Sequence, residues 1–101
     1  MVTKKRLTLS QVKKVRESSE SFGESLKSER KCREMSRKEF SSILEISIQS
    51  LADLEHGRSL PSPTRAKKIA EFLGEPEIYW IQLALQDQLE KQEIPFKVTL
   101  A

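Results

Sequence analysis

The chain has 101 residues, of which 37% are hydrophobic and 33% are charged, and its formal net charge is +3 at pH 7. This length suits one small domain with modest extensions rather than several domains. No apolar run approaches the roughly 18–20 residues of a membrane span, and no secretory signal is visible behind the basic N-terminus. A single cysteine, Cys32, excludes an internal disulfide and fits a reducing compartment, so the cytoplasm is the expected location.

Positive charge is concentrated in the first part of the chain. Residues 1–38 carry twelve Lys and Arg against five Asp and Glu, whereas residues 39–101 carry six against ten. Such asymmetry is expected when one face of a domain meets phosphates, although a run of charges also forms an ordinary solvated face. Charge alone leaves both interpretations open.

Residues 1–20 are predicted to be a basic arm or a short helix. The first eight residues include Lys4, Lys5 and Arg6 and indicate a mobile arm. From Leu9 onward, apolar residues at a spacing of three allow a short helix to about Glu17.

Residues 21–92 are predicted to form a domain of five helices. Ser21 is placed to cap the first helix, which is expected over about 22–33. Ser36 and Glu39 have the spacing of a capping box, which marks the start of the second helix.

The second and third helices are short and are joined by a tight turn. Ser47 is typical of an N-cap for the third helix, which is predicted to end at Gly57 in a left-handed conformation. The apolar positions of this segment are Phe40, Leu44, Ile46, Leu51 and Leu54. Because they bury only a narrow seam, the outer face of the third helix is free for the DNA major groove, as in a helix-turn-helix. The segment therefore predicts DNA binding.

Two longer helices follow. Ser62 and Pro63 are typical of the start of the fourth helix, and Gly74 is typical of its end. Its buried face is predicted to comprise Ala66, Ile69, Ala70, Phe72 and Leu73. The fifth helix is expected from Pro76 to about Gln92. Its apolar set is wide: Ile78, Tyr79, Trp80, Ile81, Leu83, Ala84, Leu85 and Leu89.

The final segment, residues 93–101, changes to a two-residue alternation. A strand is predicted there with Ile94, Phe96, Val98 and Leu100 on one face. No second strand is evident in the sequence. The strand is therefore expected to pair with a second copy of the chain or with another protein's sheet, or to be a frayed tail.

Three parts of the chain match a known pattern: Arg30, residues 36–41 (SRKEFS) and residues 51–61 (LADLEHGRSLP). They resemble the Xre family of lambda-repressor-like DNA-binding domains, over about residues 22–81. The family has an arginine in its first helix, Ser-Gln-x-x-Leu-Ala in its second, and Ile-x-x-Ile-Glu-x-Gly-x-x-x-Pro ending its recognition helix. The resemblance implies an all-α, five-helix lambda-repressor-like helix-turn-helix domain, with a basic N-terminal arm and a short C-terminal β-strand.

The resemblance also implies roles for individual residues. Arg30 and Glu55 match a partly buried structural ion pair. The expected base-reading residues are Ile48, Gln49, Ser50 and Asp53, and the expected DNA-backbone contacts are Arg37, Lys38, Ser47, Arg58, Lys27 and Lys31. Gln49 is the best candidate for direct readout, because an amide can donate and accept on the N6/N7 edge of adenine. Ile48 can contact a thymine methyl group.

Three residues depart from the family pattern. Glu45 stands in the turn where glycine is usual, Ile48 offers no hydrogen bond, and the Asp53 carboxylate would face a polyanion. They keep a second interpretation open, in which the helix-turn-helix no longer binds DNA and serves as a protein-interaction scaffold.

The sequence shows no enzyme. No nucleophile–base pair, glycine-rich phosphate loop or paired carboxylates can be assembled from these segments. The only histidine, His56, has no cysteine or second histidine nearby, so neither a metal nor a cofactor is expected. Cys32 lies between Lys31 and Arg33 and is interpreted as a plain helix residue.

The wide apolar face of the fifth helix predicts a protein partner, most simply a second copy, because two units on a palindromic operator need a two-fold axis. The expected interface residues are Trp80, Leu85, Leu89, Phe96 and Val98. The chain is thus predicted to be a homodimeric transcriptional regulator, a repressor, that binds double-stranded DNA and no membrane. The alternative is a HigA-like antitoxin that also neutralises a toxin protein through its C-terminal region.

Overall fold

The computed structural model describes residues 2–6 and 20–100. Its elements are β1 (Val2–Arg6), α1 (Phe22–Cys32), α2 (Arg37–Ile43), α3 (Ile48–Glu55), α4 (Pro63–Leu73), α5 (Glu77–Lys91) and β2 (Phe96–Leu100). The predicted all-α helix-turn-helix domain with a short C-terminal strand is confirmed. The short helix predicted from Leu9 to about Glu17 lies outside the described residues. None of the described helices is long and apolar enough to cross a membrane.

Serine side chains begin the first four helices, as the sequence predicted. The caps are Ser21, Ser36, Ser47 and Ser62, each accepting a hydrogen bond from a backbone N–H in the first turn of its helix. The first two are full capping boxes, in which a glutamate returns a bond to the cap's own N–H. Gly57 and Gly74 end α3 and α4 with φ of 74° and 69°. Local chemistry therefore fixes most of the helix boundaries.

Three other helix ends carry a glutamate in the left-handed region. Glu34 follows α1, Glu45 follows α2 and Glu93 follows α5, with φ of 54°, 56° and 56°. In each case the N–H of the next residue bonds back to a carbonyl five residues earlier, which closes the helix end as glycine does elsewhere. The turn of the helix-turn-helix is thus formed without glycine.

The core lies between the five helices. Its buried members are Phe22, Leu26, Phe40, Leu44, Leu51, Leu54, Ala66, Ile69, Ala70, Leu73, Trp80 and Ala84. Gly23 lets α1 approach α3 closely, because a Cβ at that position would lie 2.2 Å from the carbonyl oxygen of Leu54. Phe72 was predicted to be buried, and this is wrong: its side chain is 41% exposed, because α4 already buries Ile69 and Leu73 on the core side.

The two strands form an antiparallel sheet in which Val2 pairs with Leu100 and Arg6 with Phe96. The prediction that the C-terminal strand has no partner in its own chain is therefore wrong. So is the prediction of a mobile arm at Lys4, Lys5 and Arg6, which lie in β1. The sequence VTKKR gives no alternating pattern that marks a strand, so β1 depends on β2 for its backbone hydrogen bonds.

Strand β2 packs on α5 and covers part of the apolar surface that was predicted to need a partner. The side-chain amide of Gln86 donates to Phe96 O at 3.1 Å and accepts from Val98 N at 2.8 Å. Trp80 and Val98 are only 2% and 3% exposed, so the prediction that they form a partner interface is wrong. Their own chain already removes them from solvent. The other three predicted interface residues, Leu85, Leu89 and Phe96, are half-buried.

Candidate nucleic-acid interface

Helix α3 has an inner and an outer face. On the inner face Leu51 and Leu54 are buried in the core, and this fixes the orientation of the helix. On the outer face Ile48 is 48% exposed, and Gln49 is exposed as well. Ser50 is half-buried beside them. The structure therefore brings three of the four predicted base-reading residues together at the N-terminal turn of one helix.

Ser47 orders this turn. Its hydroxyl oxygen accepts from the N–H of Ser50 at 3.0 Å and lies 2.9 Å from the Ser50 hydroxyl oxygen, to which it donates. The hydroxyl predicted to contact the DNA backbone is thus engaged within the helix cap. The positive end of the helix dipole is exposed at the same place, which favours a nearby phosphate.

The fourth predicted base-reading residue, Asp53, is engaged by two neighbours. Gln49 Nε2 donates to Asp53 Oδ1 at 3.0 Å, and Arg58 Nε donates to the same oxygen at 2.9 Å. Both bonds end on the same carboxylate oxygen of Asp53, which lies one helical turn after Gln49. The three side chains form a single network beyond the core, which we call the outer network.

The outer network keeps Asp53 charged. The hydrogen bond from Arg58, and next the one from Gln49, lower the pKa of the Asp53 carboxyl below its ordinary value of 3.8. At neutral pH the group is therefore a carboxylate, which can only accept hydrogen bonds. Its negative charge is matched by the adjacent guanidinium of Arg58.

Glu55 forms a second network on the inner face of α3. Arg30 donates to its two carboxylate oxygens from Nε at 2.8 Å and from Nη2 at 3.2 Å, so the predicted ion pair is present. Arg37 Nε adds a third bond at 3.1 Å. Arg30 also donates to the Met35 carbonyl oxygen at 3.1 Å. These contacts join α1, α2 and α3, and we call them the inner network.

The Glu55 side chain is completely buried, at 0% exposure, whereas the Arg30 and Arg37 side chains are 13% and 35% exposed. Burial raises the pKa of Glu55, but the hydrogen bonds from the two arginines outweigh it and hold the pKa below 4.5. Glu55 is therefore ionised at neutral pH. The Glu55 carboxylate is closed to solvent, whereas both arginine side chains reach the surface.

The residues predicted to contact phosphates differ in exposure and in the bonds they already make. The Arg58 side chain is 55% exposed and borders the outer face of α3. Lys31 and Lys38 are exposed and Lys27 is half-buried. Arg37 is bound to Glu55 and keeps its remaining guanidinium donors for other groups. The structure thus places Arg58 beside Asp53 on the outer face of α3 and the lysines on α1 and α2.

His56 ends α3. Its Nδ1 lies 2.8 Å from the Ala52 carbonyl oxygen, and because a carbonyl only accepts, Nδ1 carries a proton. Through this bond the exposed ring helps to close the last turn of α3. Within residues 2–6 and 20–100, no group of three His, Cys, Asp or Glu side chains could hold a metal ion.

Comparison with known proteins assigns the fold to a family. The family model for the helix-turn-helix domain matches residues 23–85, which is more than half of the chain. The chain belongs to the helix-turn-helix domain family. The match extends over the helix-turn-helix domain from α1 into α5, and domains of this family bind DNA and are typically not enzymes. No curated protein and no solved structure matches the chain.

Sequence reasoning missed two features of the interface. The bond from Arg37 to Glu55 joins residues 18 positions apart, and no local sequence pattern predicts it. The bond from Gln49 to Asp53 spans four residues of a helix, where an amide and a carboxylate are known to interact. The second contact was therefore visible in the spacing of the sequence.

Proposed function

We propose that this helix-turn-helix domain is a sequence-specific regulator of transcription that acts as a homodimeric repressor of the Xre type. The DNA-binding unit comprises residues 21–92, flanked by segments 1–20 and 93–101. Helix α3 is the recognition helix and enters the major groove with its N-terminal turn.

One observation carries the proposal. The N-terminal turn of α3 presents Ile48 and Gln49 outward while Leu51, Leu54 and Glu55 anchor the same helix inward. An exposed, rigidly held pair of side chains at a helix N-terminus has the geometry for reading base edges. Packing among the described residues leaves Ile48 48% exposed and so does not account for an isoleucine there.

Cationic side chains around the turn supply affinity that does not depend on sequence. Arg58 contacts Asp53 on the outer face, and Lys31 and Lys38 are exposed on α1 and α2. Each phosphate that such a group neutralises releases counterions, so binding weakens as salt rises. In the Arg58→Ala variant we expect weaker binding to every duplex and a flatter salt dependence. An unchanged slope would remove Arg58 from the contacts.

The dimer is proposed to form through α5. Ile78 and Tyr79 remain 54% and 49% exposed, and Leu85 and Leu89 are half-buried. Such exposure on one helix supports an interface between copies, which would place two α3 helices on a palindromic site. We expect Ile78→Glu to convert a dimer into a monomer in light scattering, with the far-UV spectrum unchanged. A dimer that persists would move the interface elsewhere.

A titration followed by fluorescence anisotropy tests the DNA-binding proposal. The duplex carries the sequence upstream of the protein's own gene, the control is a scrambled duplex, and the salt concentration runs from about 50 to 200 mM. A preference of roughly 10³-fold or more, with a steep salt slope, supports a sequence-reading repressor. Equal and weak binding to both duplexes would contradict it and favour the protein-interaction scaffold.

Gln49→Ala provides the matched variant for base readout. We expect it to lose about 1–3 kcal/mol of discrimination at one base pair and to keep its non-specific affinity and its salt slope. A uniform loss on all duplexes would instead indicate that Gln49 supports the fold or a phosphate contact.

The exposed apolar pair Ile78 and Tyr79 also supports the second candidate, a HigA-like antitoxin whose C-terminal region binds a toxin. The two candidates differ in what covers α5. If Ile78→Glu dissociates the dimer and weakens operator binding, the simple regulator is favoured. If it spares the dimer but releases the activity of a toxin encoded next to the gene, the antitoxin is favoured.

A further inference from the structure

We propose that Asp53 positions Gln49 so that its amide selects adenine and rejects guanine. This inference rests on the proposed function, because it assumes that the outer face of α3 reads DNA. It changes the role predicted for Asp53 from the sequence: the carboxylate sets the donors and acceptors of its neighbour and contacts no base itself.

The geometry of the outer network fixes the orientation of the Gln49 amide. Asp53 Oδ1 lies 3.0 Å from the amide nitrogen, and a carboxylate can only accept. The amide therefore faces Asp53 with one N–H and turns its carbonyl oxygen elsewhere. Rotating the amide by half a turn would place that oxygen against the carboxylate, which is repulsive. Asp53 thus selects one of two amide orientations.

This orientation limits what Gln49 can offer to a base. An amide has two N–H donors and one carbonyl acceptor, and one donor is bound to Asp53. One N–H and the oxygen remain. Adenine presents one acceptor, N7, and one donor, N6–H, which match this pair. Guanine presents two acceptors, N7 and O6, and would place one of them against the carbonyl oxygen.

A free glutamine has no such limit. Without Asp53 both N–H groups are available, and the side chain can turn to donate to both guanine acceptors. The discrimination between adenine and guanine is therefore expected to depend on Asp53, whereas the ability to bind the base depends on Gln49. Gln49 would thus contact the base, and Asp53 would set which base it accepts.

Arg58 makes the carboxylate compatible with a nearby polyanion. Its Nε donates to the same Asp53 oxygen at 2.9 Å, so the two charges lie in contact. The lowered pKa of Asp53 agrees with this pairing and keeps the acceptor charged at neutral pH. The side chain of Arg58 is 55% exposed, so its other donors remain open to a phosphate. Arg58 can therefore balance Asp53 and contact the backbone at once.

The test begins with selection of binding sites from random duplexes by the full wild-type chain and by Gln49→Ala. The base pair whose preference is lost in Gln49→Ala is the one that Gln49 reads. Wild-type binding is then measured on duplexes that carry A·T or G·C at that pair. We expect a preference for A·T of about 10–100-fold.

The decisive variants are Asp53→Ala and Asp53→Asn. In Asp53→Ala we expect the preference to fall to about 3-fold or less, mainly because the guanine duplex binds better. In Asp53→Asn the donor of Arg58 keeps the side-chain oxygen, and not the amide nitrogen, at the position of Oδ1. That oxygen can still accept from Gln49, so most of the preference should return. Rescue by asparagine separates positioning from a general loss of structure, and thermal unfolding of both variants provides a second check on the fold.

Three outcomes would overturn the proposal. The first is an A·T preference in Asp53→Ala equal to that of wild type. The second is a wild-type preference for another base at the pair that Gln49 reads. The third is a wild-type chain with no sequence preference at all, which would refute the proposed function together with this inference. The first two leave the proposed function standing, so the failures can be told apart.

Discussion

Helix α3 carries two carboxylates only two residues apart, and their surroundings are opposite. Asp53 and Glu55 each accept hydrogen bonds from two other side chains. The partners of Asp53 lie within five residues of it on an exposed surface, whereas those of Glu55 come from α1 and α2 and reach a carboxylate that is closed to solvent. The inner network joins three helices, and the outer network orders one surface.

This difference in burial indicates which charged groups stabilise the fold. An exposed pair such as Asp53 with Arg58 gains little from its attraction, because water screens it and competes for its hydrogen bonds. A buried carboxylate such as Glu55 has no water to replace a lost arginine, so each partner matters. We therefore expect the inner network to control stability and the outer network to control recognition.

The largest expected effect is the loss of Glu55. In Glu55→Ala two arginines lose their counterion at a buried site, and we expect the free energy of unfolding to fall by about 3–5 kcal/mol in urea titrations. Asp53→Ala is the matched control on the same helix and should leave the urea midpoint unchanged. Similar losses in both variants would break the comparison.

The next largest loss of stability is expected where α1 closely approaches the inner face of α3, at Gly23. In Gly23→Ala the new Cβ would meet the Leu54 carbonyl oxygen at 2.2 Å and the Glu55 carbonyl oxygen at 2.9 Å, so the helices must separate. We expect a loss of about 1–3 kcal/mol in urea unfolding. Ser28→Ala, on the exposed side of α1, should change stability by less than about 0.5 kcal/mol. A neutral Gly23→Ala would mean that the helices can part freely.

The pH dependence of stability should report on Glu55 in the inner network. Because the pKa of Glu55 is lower in the folded protein than its ordinary 4.5, its stabilising contribution is complete above that ordinary value. The contribution is lost as the pH falls through 4.5 towards the folded pKa. Urea unfolding of wild type and Glu55→Gln from pH 7 to pH 3 should show a stability difference that shrinks below about pH 5. A constant difference would contradict the assignment.

The smallest expected effect concerns the turn between the two helices of the motif. Glu45 has φ of 56° and lies at the negative end of the α2 dipole, so both strain and charge oppose it. Glu45→Gly should raise stability by about 0.5–1 kcal/mol in thermal or urea unfolding. Glu45→Ala keeps the strain and removes the charge, which separates the two causes. A destabilised Glu45→Gly would show that the glutamate makes a compensating contact.

Much of the fold could be predicted because its signals are local. The four serine caps and the two terminal glycines are chemical features that span a few residues, and the structure confirms them where predicted. The outer network is also local, since Gln49 and Asp53 are one helical turn apart. Its members were identified from the sequence, although their bonds to each other were not.

Other features could not be predicted because they depend on surfaces that meet only after folding. Strand β1 has no alternating pattern and exists by pairing with β2 at the other end of the chain. Trp80 is buried against Phe22 of α1 in the helical core, and Val98 is buried where β2 packs on α5. The second arginine on Glu55 comes from a separate helix. Periodicity gives the apolar side of an element but not the neighbour that covers it.

The sequence by itself thus determined the helices, their ends, and the face of α3 that stays outside. Those properties follow from hydrogen bonds and apolar spacing within one or two helical turns. Only the tertiary structure decided that Glu55 joins three helices, while Asp53, two residues earlier, bonds its neighbours on the outer face of α3. The reason is that burial is a property of the folded chain. Burial removes the water that would compete for a charge, so a lost partner costs more stability there.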